Sequence, residues 1–131
     1  MKVLVVDDNQ FLASTILDIL EDKGFEVKSA KDGREGYRIY LLFKPDLVIT
    51  DIQMPEENGL EMMKNIRTHE PMIRTIYMSA DLSAFRASLI EEKKLYPVRC
   101  FQKPFSLEML KNTITESTAN SPLHNSSALP N

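Results

Sequence analysis

The sequence predicts an α/β fold in which five parallel strands alternate with five helices, and three observations carry that reading. Three runs, Lys2 to Asp7, Asp46 to Asp51 and Thr75 to Ala80, are rich in aliphatic and β-branched residues without polar alternation, as expected of strands buried on both faces. Segments of helical period lie between the strand-like runs. Capping side chains and a glycine stop fall at the ends of those segments. This alternation implies right-handed crossovers and an open, doubly wound parallel sheet with helices on both faces.

Each element has its own signal. After the first strand, Leu12, Ile16, Ile19 and Leu20 share one face of a helix over Gln10 to Lys23, and Gly24 supplies its stop. Glu26 to Ala30 is short and mixed, so it reads as an outer strand. Asp32 stands three residues before Glu35, and Asn58 three before Glu61, spacings that mark the starts of the second and third helices. Leu82 to Glu92 forms the fourth helix. Arg99 to Lys103 is a second outer strand, and Leu107 to Ser117 is the fifth helix with Ser106 as N-cap. From Thr118 to Asn131 the chain carries no Asp, Glu, Lys, Arg or aromatic residue and is dominated by Ser, Asn and Pro. That segment is expected to be a disordered tail or the start of a linker, leaving residues 1–117 as one domain.

Composition narrows the class further. At 131 residues, 43% apolar and 27% charged, the chain suits a single globular domain. A formal net charge of -3 leaves no basic surplus to neutralise a nucleic-acid backbone, so direct nucleic-acid binding is not expected. The lone Cys100 cannot form an internal disulfide. Neither a leader peptide nor an apolar run of membrane-spanning length stands out, which points to a cytoplasmic protein with no membrane partner.

In a doubly wound sheet, ligands bind beyond the carboxyl ends of the strands, where the winding reverses. The first strand ends in Asp7-Asp8, the third in Asp51, the fourth in Ser79-Ala80 and the fifth in Lys103-Pro104. Three carboxylates, a hydroxyl and an ammonium therefore converge. Gathered carboxylates repel one another unless a cation relieves them, and their hard oxygens favour Mg²⁺ or Ca²⁺ over zinc. Mg²⁺ takes one or two protein carboxylates with water and phosphate oxygens, which suits phosphoryl transfer. In such a site Asp51 is placed as the nucleophile that forms an aspartyl phosphate, with Lys103 and Ser79 holding the phosphate oxygens.

Asp7-Asp8 after a hydrophobic strand, Asp51-Ile52-Gln53-Met54-Pro55 followed by Gly59, Ser79-Ala80, and Lys103-Pro104-Phe105 resemble the receiver domain of two-component response regulators (the CheY-like superfamily). The resemblance spans Lys2 to about Ser117. It implies a flavodoxin-like sheet of strand order 2-1-3-4-5, the topology of this superfamily. It further implies that Asp51 accepts phosphate from a phosphohistidine on a sensor histidine kinase or histidine phosphotransfer protein. Asp8, Asp51 and the main-chain carbonyl of Gln53 would bind Mg²⁺, with Mn²⁺ as a substitute, and Asp7 would act mainly through metal-bound water. Lys103 would contact the acyl phosphate and Ser79 would move toward it. A cis peptide between Lys103 and Pro104 is implied, aiming the ammonium at the site. Gln53 and Asp81 would flank the path of the water that removes the phosphate.

On that resemblance the chain is a switch rather than an enzyme with a substrate of its own, although it catalyses its own phosphorylation and dephosphorylation. It would present its fourth helix, fifth strand and fifth helix to an unidentified downstream protein, as a monomer or a phosphorylation-dependent dimer. The sequence departs from the family pattern at Cys100, where an aromatic switch residue is usual and Phe101 comes one place late. The link Lys93 to Val98 also reads as slightly long. An alternative is the receiver portion of a longer regulator with a DNA-binding or enzymatic output domain. An aspartyl-phosphate phosphatase would need an acid at Gln53. A flavin carrier would place its phosphate against Asp7-Asp8-Asn9, which would repel it.

Other residues have plainer readings. Cys100 reads as a small buried apolar residue, and Met62, Met63 and Met78 as packing. His69 and His124 read as exposed, without partners at metal-ligand spacing, and Lys93-Lys94 as a solvated helix end.

Overall fold

The computed structural model describes residues 1–119, with side chains through Glu116. Five strands, β1 (Lys2–Val6), β2 (Glu26–Ala30), β3 (Leu47–Asp51), β4 (Arg74–Ser79) and β5 (Val98–Gln102), form one parallel sheet of order β2-β1-β3-β4-β5. This is the expected flavodoxin-like order. β3 is buried along its whole length and β1 from Val3 onward, whereas β2 at the edge buries only Ala30.

The helices are α1 (Gln10–Asp22), α2 (Gly33–Phe43), α3 (Gly59–Ile66), α4 (Arg86–Leu95) and α5 (Leu107–Ala119). Alternating strand residues feed two cores. On one face Leu4, Val6, Val48, Tyr77 and Cys100 pack with Tyr40 of α2, Met62, Met63 and Ile66 of α3 and Leu89 of α4. On the other, Val3, Val5, Ile49, Met78 and Phe101 pack with Ala13, Ile16 and Leu20 of α1 and Leu110 and Ile114 of α5.

Local chemistry sets the helix starts. Asn9 and Asp32 accept N–H groups from Leu12 and Glu35, and Asn58 forms a reciprocal capping box with Glu61. Glu35 does not reciprocate to Asp32; its carboxylate takes the Lys31 N–H instead. Ser106 Oγ receives the N–H groups of Glu108 and Met109.

The expected fourth helix is divided. Leu82–Phe85 is a 3₁₀ turn, and α4 begins only at Arg86, because neither Asp81 nor Phe85 provides a side-chain cap and Phe85 leaves helical geometry at φ -118° and ψ 19°. The helix then runs past Glu92 to Leu95, so only Tyr96 and Pro97 connect it to β5. α5 continues two residues beyond Ser117; residues 120–131, including His124, lie outside the described residues.

Candidate functional site

Parallel pairing brings the carboxyl ends of β1, β3, β4 and β5 to one edge of the sheet, with the functional side chains at or just beyond the strand tips. Asp7 follows β1 and is wholly buried. Its Oδ1 accepts the Asn9 N–H at 2.8 Å, and its Oδ2 accepts from Lys103 Nζ at 2.9 Å. Asp51 ends β3; its Oδ1 accepts the Ile52 N–H at 2.9 Å and its Oδ2 accepts from Lys103 Nζ at 3.2 Å. Asp8 is exposed, and one carboxylate oxygen from each of Asp7, Asp8 and Asp51 falls within 4.8 Å of the others.

Electrostatics follow from this crowding. Burial and the nearby Asp7 charge push the Asp51 carboxyl up from its ordinary value, against the pull of Lys103. Burial opposes the Lys103 charge, but hydrogen bonding and charge attraction from Asp7, with a further contribution from Asp51, hold its ammonium above the usual lysine value. One ammonium offsets only part of three carboxylates. The hard-oxygen donors and uncompensated negative charge therefore fit a divalent cation such as Mg²⁺.

Lys103 lies just past β5. Its N–H donates to the Ser79 carbonyl at 2.7 Å, and the bond to Pro104 is cis, as the resemblance implies. Ser79 is fully buried and its Oγ accepts the Asp81 N–H at 3.0 Å. Asp81 itself is exposed, with Oδ1 accepting from Ser83 Oγ. Gln53, also exposed, lies in the loop between β3 and α3. The root of that loop has no room for a side chain at position 59: a Cβ there would overlap the Asp51 carbonyl oxygen, while the Gly59 N–H donates to the Ile52 carbonyl.

Cys100 is buried, and burial pushes its thiol up to about 11. Phe101 points into the opposite core, 5.5 Å from the Phe105 ring. Tyr77 pairs with Cys100 across β4 and β5, and its hydroxyl donates to Glu92 of α4 at 2.8 Å. Glu92 also receives Arg67 Nη1 at 2.6 Å; Arg67 Nη2 bonds Thr75 Oγ1, and the guanidinium lies 4.1 Å from the centre of the Tyr96 ring. The sequence reading missed this network. A single arginine after Ile66 has no local signal that it turns inward. His69 is exposed as expected, but its Nε2 lies 2.7 Å from the Tyr37 hydroxyl.

The profile of the response regulator receiver domain matches residues 3–115. The chain is 38% identical over 105 residues to the chemotaxis protein CheY of Thermotoga maritima, covering 79% of this chain and 86% of that one. It is also 38% identical over 105 residues to a protein-glutamate methylesterase/protein-glutamine glutaminase of Archaeoglobus fulgidus, of which it covers only 30%. Among solved structures, the response regulator TrrA of Thermotoga maritima in complex with Mg(2+)-BeF superposes with a TM-score of 0.75 at 29% identity, covering 88% of this chain and 96% of that one. The carboxyl-edge arrangement, the strand order and these matches lead to one conclusion: the chain belongs to the response regulator receiver domain family of two-component signalling proteins.

Proposed function

We propose that Asp51 accepts a phosphoryl group from a phosphohistidine on a sensor histidine kinase or histidine phosphotransfer protein. The observation that carries this reading is the Lys103 ammonium lying between the carboxylates of Asp7 and Asp51. In the transfer an Asp51 oxygen bonds to phosphorus, the phosphorus–nitrogen bond breaks, and the imidazole leaves with its electron pair. Asp7, Asp8, Asp51 and the Gln53 main-chain carbonyl hold Mg²⁺, or Mn²⁺ in its place. The metal, when bound, neutralises charge on the phosphoryl oxygens. Lys103 then contacts the acyl phosphate, and the Ser79 hydroxyl turns toward it.

Phosphorylation changes partner binding through α4, β5 and α5. Self-catalysed loss of the phosphate, with Gln53 and Asp81 beside the water path, resets the switch. A cytoplasmic setting fits this role, and no described helix is long and apolar enough to cross a membrane. A second reading makes residues 1–117 the receiver portion of a longer regulator; the partial match to the methylesterase supports it.

The deciding experiment is incubation with acetyl phosphate, with and without Mg²⁺, followed by intact mass measurement. We expect a metal-dependent phosphate adduct on the native chain and none on Asp51→Asn. An undiminished adduct on Asp51→Asn would overturn the assignment.

A further inference from the structure

The loop between β3 and α3, residues 52–58, carries Gln53 and is fastened at both ends. At the phosphoacceptor end the Gly59 N–H holds the Ile52 carbonyl. At the other end Gly33, the first residue of α2, donates its N–H to the Glu57 carbonyl at 3.0 Å. The approach is so close that a Cβ at position 33 would overlap that carbonyl oxygen. The intervening backbone is constrained as well: Glu56 stands at φ 68°, a left-handed conformation that a non-glycine residue keeps only where its surroundings determine it. Arg34, next to Gly33 on α2, reaches the Glu56 carboxylate at 3.2 Å. The start of α2 thus grips the far end of the loop.

We propose that Gly33 is a positioning residue for the metal site, setting the path of the loop and so placing the Gln53 main-chain carbonyl as a ligand. The inference rests on the metal reading above. Mg²⁺ requires near-octahedral oxygen ligands at about 2.1 Å, so a loop displaced by about 1 Å loses a ligand even when every carboxylate remains. Alanine is otherwise well suited to the first turn of a helix, which separates a positioning effect from a simple loss of helix stability.

The test is Mg²⁺ affinity, measured by amide-resonance titration, alongside thermal melting without metal. Gly33→Ala is expected to bind Mg²⁺ about tenfold more weakly, the scale of lost outer support for a ligand. Its metal-free amide shifts should change across residues 52–58, and excess Mg²⁺ should restore phosphorylation by acetyl phosphate. Gly24→Ala is the control. It is strained at φ 89° with nothing near its Cβ, and should lose stability while keeping native affinity. Should Gly33→Ala fail to fold, Arg34→Ala combined with Glu56→Gln removes the ion pair that ties the same loop to α2 without adding atoms, and weaker Mg²⁺ binding is again expected. Native affinity in the folded Gly33→Ala variant, or in the double variant where that one does not fold, would overturn the inference. An equal loss in Gly24→Ala would do the same. Absence of Mg²⁺ binding by the native chain would overturn the metal reading itself and this inference with it.

Discussion

Lys103 and Asp7 stand 96 residues apart in sequence, yet the lysine Nζ lies 2.9 Å from Oδ2 of a carboxylate that has no solvent exposure. The same ammonium reaches Asp51, so one cation serves two acids that burial would otherwise leave uncompensated. Lys103→Met should therefore destabilise the metal-free protein by about 3 kcal/mol, the usual cost of stranding a buried charge. Mg²⁺ should recover part of that loss by binding the folded state. Urea unfolding with and without Mg²⁺ checks both statements; an unchanged midpoint in metal-free buffer contradicts the first.

Asp51 gives a pH dependence of definite sign. Its carboxyl is raised in the folded state by burial and by Asp7, so the folded chain binds that proton more tightly than the unfolded chain does. Its contribution to stability is present at low pH and is lost as pH rises through the raised value. Asp51→Asn, which is never charged, should be more stable than the native chain at neutral pH without metal. The advantage should shrink toward the ordinary carboxylate range. Thermal melts between pH 4 and pH 7.5 measure it, and an advantage that grows on acidification would refute the account.

Glu92 receives both the Arg67 guanidinium and the Tyr77 hydroxyl. Glu92→Ala should cost about 3 kcal/mol because Arg67, with 4% side-chain exposure, is left charged and buried. Replacing Arg67 by Met in the same chain should return part of the loss. Denaturant titration of both single variants and the double variant yields the coupling, and purely additive losses would show that the pair is not a unit.

In the proposed cycle Asp81 and Gln53 would set how long the phosphate survives. An exposed carboxylate or amide can orient an attacking water by hydrogen bonding, so Asp81→Leu should slow phosphate loss several-fold, short of the roughly hundredfold or more that a full general base contributes. Decay of the aspartyl phosphate, followed by mass after donor removal, provides the check. Unchanged decay in both the Asp81→Leu and Gln53→Ala variants would remove these residues from that role.

What was legible in the sequence was what strands announce locally. Val3 to Val6 and Leu47 to Thr50 are buried on both faces, so their charged ends at Asp7 and Asp51 had to emerge at one edge. Ser79 and Lys103 followed from the same rule. The division before α4 was not legible, because apolar residues such as Leu82, Phe85 and Leu89 suit a continuous helix, and the break depends on a missing cap. Arg67 was invisible for another reason. Its burial is decided by Glu92, Thr75 and Tyr96, partners brought to it by the sheet rather than by sequence spacing. The grip of Gly33 on Glu57 is likewise a contact between distant segments, and an Asp-Gly pair reads only as a helix start.

The uneven fastening of α4 has a mechanical corollary. Leu89 is its only buried residue, Glu92 in its second half is anchored to Arg67 and Tyr77, and the end beside the 3₁₀ turn has no cap. This ten-residue helix is about 15 Å long, and with Glu92 as its fulcrum the arm that ends at Arg86, its uncapped tip, is about 9 Å. Tilting it by about 10° carries the tip roughly 2 Å while the fulcrum hardly moves. In the proposed switch, a movement of Ser79, at the root of the turn that leads to this tip, would reach the outside of the molecule through the helix, with Leu89 shifting against the core by less than the tip.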